Sequence, residues 1–221
     1  MTLSAGLTRP SKPFAARKLT MPMVARLPWI RQRCAGLAVL NLGCMHAPNT
    51  RGSIRRALNL HHTLCGVCAR LTGIDIDLSA RDLMPPDTPS HDIQEADVCH
   101  QNQLAAAVAG RPYDVVVAGE LLEHLPNPGL CLQAVAAILP AATLIVTVPN
   151  ALAWAVARRA RRGVEAVHAE HVCWYSPRTI LSLLERCGWT RNNIYGAGQV
   201  ARPPSPMNVR SRMILVESRR A

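Results

Sequence analysis

The sequence contains few aromatic residues and almost no lysine. Phe, Trp and Tyr make up 4% of the 221 residues, with a single Phe, and only Lys12 and Lys18 are lysines. The core must therefore be filled by aliphatic side chains, and the aromatic platforms of single-strand nucleic-acid binders are not expected. With 49% hydrophobic and 18% charged residues, the chain is predicted to be globular rather than disordered, with one main domain.

Acidic residues are missing from the first 36 positions, which hold seven basic ones. Residues 37–200 hold thirteen Arg and thirteen acidic residues, so the formal charge of +11 comes from the two ends of the chain. A nucleic-acid-binding domain is expected to carry its own basic stripe, and no specific nucleic-acid partner is predicted. We predict a disordered basic extension over 1–36, a folded domain over 37–217 and a short basic tail over 218–221.

The extension is rich in arginine, as transit peptides are, but its four prolines and lack of a clean amphipathic period favour disorder. An over-extended start is a further explanation, since Met21 and Met23 lie within it. Deletion of residues 1–20 is expected to leave folding and any activity unchanged.

Long hydrophobic runs are also scarce. Residues 141–157 are uncharged and precede an arginine cluster, which resembles a stop-transfer signal. However, Pro149-Asn150 interrupts this segment, and the β-branched residues before it favour a buried strand, so no membrane span is predicted.

Eight cysteines without a signal peptide favour reduced thiols in a cytoplasmic protein. Cys65 and Cys68 have no second CxxC pair, which excludes a zinc ribbon. With His61 they could share one helical face and hold a metal, but buried small residues on an amphipathic helix are the favoured interpretation. No metal site is predicted.

Short apolar runs alternate with helical patterns along the chain. The runs are predicted to be buried strands because they are continuously apolar; they cover residues 37–42, 71–76, 115–118 and 143–148, with a short strand ending near Glu95. Helices are predicted over 53–70, 101–109, 128–139 and 177–187, and two last strands over 193–195 and 213–217. This alternation predicts an α/β fold, a doubly wound and mostly parallel sheet.

Chemistry in such sheets lies at the carboxyl ends of the strands. The motifs found there are GIDID (73–77), AD (96–97), DVVVAGELLEHLPNP (114–128), VPN (148–150) and HVCWYSPRTILSLLERCGW (171–189). In this order, they resemble the class I S-adenosylmethionine-dependent methyltransferases, over residues 37–189. The resemblance implies a Rossmann-like, seven-stranded sheet whose last strand is antiparallel. It also implies S-adenosyl-L-methionine as cofactor and in-line methyl transfer to an acceptor, which we expect to be a small molecule.

The resemblance assigns five residues to the cofactor. Gly43 would form the turn beside its methionine part, Asp75 would accept hydrogen bonds from both ribose hydroxyls, and Asp97 would receive the adenine amino group. Glu120 would line the site. Asn41 replaces the usual acidic residue of the first motif, so it could bind an ammonium group but supplies no charge.

His124 and His171 are the candidate catalytic residues. Both adjoin elements that face the site, and imidazole has a pKa suited to accepting a proton from the acceptor or contacting it. Each could instead be a structural histidine bonded to a loop carbonyl. His168, Glu170 and His171 are close in sequence as in a metal cluster, but no fourth ligand is evident in the sequence.

Met45 and Ala47 occupy positions where the family has small residues. A Cβ at a position needing positive φ or close cofactor approach is unfavourable, so weakened cofactor binding is expected, and glycine at both positions is expected to tighten it about tenfold. A non-catalytic, methyltransferase-like binding or regulatory protein is the alternative. A nicotinamide enzyme is disfavoured because no GxGxxG follows the first strand.

Overall fold

A computed structural model describes residues 20–45, 59–83, 92–198, 205–206 and 211–220. The strands are β1 Thr20–Met21, β2 Met23–Ala25, β3 Ala38–Leu42, β4 Arg70–Asp75, β5 Asp92–Glu95, β6 Val115–Gly119, β7 Thr143–Pro149, β8 Trp189–Gly198, β9 Ser205–Pro206 and β10 Met213–Arg220. The α-helices are α1 Arg26–Cys34, α2 Leu60–Leu64, α3 Gln101–Val108, α4 Pro128–Ile138, α5 Trp154–Ala160 and α6 Pro177–Arg186, with 3₁₀ turns at Arg81–Leu83 and Leu122–His124.

Eight of these strands form one sheet in the order β2-β8-β10-β7-β6-β3-β4-β5. Only β10 runs antiparallel to its neighbours, β7 and β8. The predicted α/β fold with a mostly parallel sheet and an antiparallel last strand is therefore confirmed. The sheet has one strand more than expected, because β2 pairs in parallel with the far side of β8. The short strands β1 and β9 pair separately with each other.

The apolar strands are buried on both faces of the sheet. Successive side chains of a strand point to opposite faces. Thus Leu40 and Val116 pack with helices α3, α4 and α6, whereas Val39 and Val117 pack with α1 and α2. This double coverage explains why the strands read as continuous apolar runs rather than as alternating patterns.

Helix α1 corrects the expected start of the folded domain. Ile30 and Cys34 of this helix are fully buried against the sheet, within the segment that was predicted to be a disordered extension. The boundary at residue 37 therefore falls too late, since at least residues 20–36 belong to the folded unit. Residues 1–19 lie outside the described part of the chain.

The expected basic tail needs the same correction. Ser218, Arg219 and Arg220 continue strand β10, and Ser218 is fully buried. Ser218 pairs with Asn192 of β8, so the strand hydrogen-bonding pattern extends past residue 217.

The uncharged segment at 141–157 contains the central strand β7, followed by helix α5. Among the described helices, none is long and apolar enough to cross a membrane.

Helix α2 is shorter than the helix predicted over 53–70, of which residues 53–58 lie outside the described part. It ends at Leu64, so Cys65 and Cys68 do not continue a helical face with His61. None of the eight cysteines, all of which lie in the described part of the chain, forms a disulfide.

Candidate functional site

The carboxyl ends of β3, β4, β6 and β7 meet at one edge of the sheet. Leu42 is in register with Ile74 of β4 and with Ala118 of β6, and Gly119 is in register with Thr147 of β7. The residues that follow these strands are therefore neighbours, as expected for parallel strands in a doubly wound sheet. Four of the predicted site residues lie here, namely Asn41, Gly43, Asp75 and Glu120.

Gly43 forms the turn after β3. Its φ of +66° lies in the left-handed region, and its N–H donates to the carbonyl of Ile74 at 2.8 Å. This backbone angle favours glycine, and a Cβ built on this residue would lie 3.0 Å from Cδ1 of Leu121, so the leucine side chain would have to shift slightly.

Asp75 ends β4 and holds the turn after β3 in place. Its Oδ2 accepts from the N–H of Met45 at 2.8 Å, and its Oδ1 accepts from the N–H of Asp77 at 3.2 Å. Burial raises the pKa of Asp75, and the backbone N–H groups partly oppose this shift. The next residue, Ile76, is 67% exposed, so an apolar surface adjoins this carboxylate.

Met45 packs into the protein instead of obstructing the site. Its side chain is only 9% exposed and forms a small apolar cluster with Cys44, Ala80 and Ile93. Met45 is also not among the described non-glycine residues with positive φ, which are Ala109 and Glu120. The expectation that a positive φ at Met45 weakens cofactor binding is therefore removed. Ala47, the other residue of that hypothesis, lies outside the described residues.

Substitution of Met45 by glycine is now expected to destabilise the protein without tightening cofactor binding. The loss of a buried side chain and the added backbone freedom are expected to lower the free energy of unfolding by about 2 kcal/mol. Urea denaturation and calorimetric titration of Met45→Gly with S-adenosylhomocysteine would measure the two effects. A variant that binds more tightly at unchanged stability would restore the obstruction hypothesis.

Asn41 is buried in β3 and contacts α2. Its Nδ2 lies 3.2 Å from Nδ1 of His61, an amide-to-ring hydrogen bond. Its Oδ1 is buried and has no hydrogen-bond partner among the described residues. Asn41 therefore retains an acceptor atom that a bound ligand could use.

Asp97 follows β5 and organises the start of α3. Its Oδ1 accepts from the N–H of Cys99 at 2.8 Å, and its Oδ2 lies 2.8 Å from Nδ1 of His100. Its own N–H donates to Oε1 of Gln103. Asp97 thus has a structural role at this turn.

Glu120 lies against an arginine that the sequence analysis placed in the disordered extension. Burial raises the pKa of Glu120, while the Arg26 guanidinium and the Thr147 hydroxyl oppose that shift. Nε of Arg26 donates to Oγ1 of Thr147 at 3.1 Å. A Cβ on Gly119 would lie 2.9 Å from Nη2 of Arg26 and 2.6 Å from Leu60, so glycine permits this close approach. Helix α1 therefore contributes a positive charge to the site.

The two predicted catalytic histidines come together. The ring centroids of His124 and His171 are 4.6 Å apart and meet edge to face. Backbone hydrogen bonds hold the two segments together: the N–H groups of Val172 and Cys173 donate to the carbonyl of Glu123 at 2.8 and 3.1 Å, an arrangement that we call the backbone clamp. The clamp fixes the segment before α6 on the turn after β6.

His168 and Glu170 complete the surroundings of these rings. The His168 ring lies 5.2 Å from that of His171, and Oε2 of Glu170 lies 3.8 Å from Nδ1 of His124. Burial lowers the pKa of His171, and the neighbouring His124 and His168 rings add to this effect.

Glu123 is a site residue that the sequence analysis did not select. It is fully buried, and both of its carboxylate oxygens lack a hydrogen-bond partner among the described residues. Burial, followed by repulsion from Glu120, raises the pKa of Glu123 to about 8. Arg26 was missed because it lies in an acid-free segment, and Glu123 because an acidic residue in a polar turn is usually exposed.

Comparison with known proteins identifies the family of the chain. A family profile described as "Methyltransferase domain" matches residues 26–192, beginning at the first residue of α1. No curated protein sequence matches the chain.

Several solved structures share the fold. A TehB-like SAM-dependent methyltransferase from Corynebacterium glutamicum is 14% identical over 90% of this chain and 88% of that one, with a TM-score of 0.59. Magnesium protoporphyrin IX methyltransferase from Synechocystis, solved with bound SAH, is 16% identical over 87% and 80%, with a TM-score of 0.54. A possible histamine N-methyltransferase from Thermotoga maritima is 9% identical over 89% and 88%, with a TM-score of 0.58.

Proposed function

The chain belongs to the methyltransferase domain family, and from this premise we propose that it is an active enzyme that methylates a small-molecule acceptor. S-adenosylmethionine is the cofactor, and it supplies an activated methyl group on a sulfonium centre when bound. The single observation that carries the proposal is the arrangement of Gly43, Asp75 and Asn41 at one edge of the sheet.

The residues at this edge fit the cofactor. Asp75 presents a carboxylate beside the exposed Ile76, which suits a ribose with an apolar ring next to it. The buried, unpartnered Oδ1 of Asn41 can accept a hydrogen bond from an ammonium group. Gly43 leaves room at the turn between these two residues. Asp97 and Glu120 are proposed to line the adenine and methionine ends of the same site.

The acceptor is proposed to bind beside His124 and His171. A cleft of about 330 Å³ adjoins helix α5, and its lining includes Val156, Arg159 and Trp174. The chain connects Trp174 directly to the clamped segment that carries His171. One of the two imidazoles would contact the acceptor and take its proton, and the protein would otherwise align the reactants and exclude water. A cytoplasmic location is proposed as well, with which eight cysteines outside disulfides are compatible.

Calorimetric titration of the full chain with S-adenosylmethionine and S-adenosylhomocysteine tests the proposal. We expect one binding site per chain for each ligand and a higher melting temperature in their presence. An absence of binding by the folded chain would overturn the proposal and leave a methyltransferase-like protein without its cofactor. Binding without methyl transfer to any member of an acceptor panel would favour the non-catalytic alternative.

A further inference from the structure

The buried carboxylate of Glu123 is not used by the cofactor and acceptor sites proposed above. A carboxylate removed from water and left without a hydrogen bond is strongly unfavourable unless a proton or a cation neutralises it. Both oxygens of Glu123 are in this position among the described residues. Arg26 attracts this carboxylate electrostatically, but no hydrogen bond from another described residue reaches either of its oxygens.

The neighbours of this carboxylate are nitrogen ligands. Glu123, His124 and His171 each offer one ligand atom, and these three atoms lie within 4.8 Å of one another. Atoms that share one metal ion at about 2 Å are about 3 to 4 Å apart, so shifts of about 1 Å would bring the three onto a common ion. The backbone clamp from Val172 and Cys173 to Glu123 holds the two segments at this spacing.

We propose that Glu123, His124 and His171 bind one divalent transition-metal ion of the Zn²⁺ type. Two imidazole nitrogens and one carboxylate oxygen suit such an ion, whereas Mg²⁺ and Ca²⁺ prefer oxygen ligands alone. The ion would neutralise the buried carboxylate of Glu123. No metal site was predicted from the sequence, where neither the set His61, Cys65 and Cys68 nor the set His168, Glu170 and His171 was accepted, and Glu123 was in neither set.

Glu170 strengthens the assignment. Metal-bound histidines commonly direct their second ring nitrogen towards a carboxylate, which orients the ring. Oε2 of Glu170 lies 3.8 Å from Nδ1 of His124, so a carboxylate lies beside this ring. The same oxygen lies 3.9 Å from Nδ1 of His168, whose ring lies at the outer side of the cluster.

The metal site also restricts the chemical class of the methyl acceptor, and this part of the inference rests on the proposed function. Three protein ligands leave a coordination position open to water or substrate. An acceptor with a hydroxyl or another metal-binding oxygen would be recognised there in preference to a purely apolar one. His124 and His171 would then contact the acceptor through the ion instead of directly.

Metal binding can be measured on the full chain without any methyl acceptor. The chain is stripped with EDTA, dialysed, and titrated with Zn²⁺ by calorimetry and with Co²⁺ by visible absorption, which reports the ligand geometry of the ion. We expect one Zn²⁺ to bind per chain, and we expect bound Co²⁺ to give visible absorption bands. Glu123→Gln and His171→Ala are expected to weaken binding at least about tenfold, whereas His62→Ala, a histidine on α2 outside the cluster, is expected to leave it unchanged.

Two results would overturn the inference. One is a folded wild-type chain that binds neither ion, and the other is binding of equal strength in the wild type and in both cluster variants, which would place the ion on thiols elsewhere. Circular dichroism reports folding, and the partly exposed His171 provides a test if Glu123→Gln fails to fold. Titration of the same samples with S-adenosylhomocysteine separates the two proposals. Metal binding without cofactor binding would contradict only the proposed function. Cofactor binding without metal binding would contradict only the metal site.

Discussion

Substitution of Asp75 by alanine is expected to weaken the binding of S-adenosylhomocysteine by at least about a hundredfold. The carboxylate would accept hydrogen bonds from two ribose hydroxyls, and a hydrogen bond to a charged group is worth about 1.5 to 3 kcal/mol. Asp75 also accepts from the N–H of Met45, so its loss removes one tie between β4 and the turn after β3. The expected effect on stability is small, about 1 kcal/mol, because a typical hydrogen bond contributes that much.

Two further variants separate direct contact from positioning of the turn. Asp75→Asn keeps an oxygen that can accept from the N–H of Met45 but loses the charge and one acceptor atom. Weak binding by this variant would indicate direct contact with the cofactor, and near-normal binding would indicate that Asp75 acts through the turn. Asp77→Ala is the matched control, since Asp77 is exposed and accepts from Ser79 instead. Calorimetry that gives the same affinity for Asp75→Ala and the wild type would contradict the cofactor assignment.

The central strands could be predicted from the sequence because strands buried on both faces of a sheet have a recognisable pattern of consecutive apolar residues. Val115–Gly119 is continuously apolar, and threonine is the only polar residue type in Thr143–Pro149; such runs between helical segments indicate a parallel sheet. Helix α1 has no comparable sequence pattern. It has a proline, three arginines and only two buried residues in nine positions, so neither its composition nor its periodicity indicates a packed helix.

The candidate site was predictable only where a residue acts from the end of a strand. Gly43, Asp75 and Glu120 lie at strand ends, and topology brings such residues to one edge. The pairing of Asn41 with His61 joins residues 20 positions apart, and that of Arg26 with Thr147 joins residues 121 apart. Neither pair has a periodic or motif signature, since each depends on how a helix packs on the sheet. The nearness of His124 and His171 likewise depends on the clamp at Glu123.

Arg26 connects the fold to the site. It begins α1, whose buried face covers the sheet on the side of Val39 and Val117, and its guanidinium reaches Thr147 at the carboxyl end of β7. The same group opposes the rise in the pKa of Glu120. A chain without α1 would therefore lose both apolar cover and the positive charge beside Glu120.

Removal of residues 1–36 is accordingly expected to lower the free energy of unfolding by at least about 4 kcal/mol, a large part of the stability of a typical domain. Ile30 and Cys34 are fully buried, and their loss would expose the sheet residues beneath them to water. Strand β2 would also be lost, leaving the edge of β8 unpaired. Urea denaturation of the truncated chain would measure this loss of stability. Recovery of the truncated chain only as aggregate would indicate that it does not fold stably.

A matched truncation and two point variants locate the effect in α1. Removal of residues 1–19 is expected to leave the urea midpoint unchanged, because that segment carries no periodic hydrophobic pattern. Ile30→Ala is expected to cost about 2 to 4 kcal/mol as a large-to-small change in the core, whereas Arg31→Ala on the exposed side of the helix is expected to change stability by less than about 0.5 kcal/mol. If the chain that begins at residue 37 were as stable as the full chain, α1 would be an accessory element and the sequence-based boundary would stand. Loss of stability in Ile30→Ala alone of the two point variants would instead show that the sheet needs this helix to complete its second face.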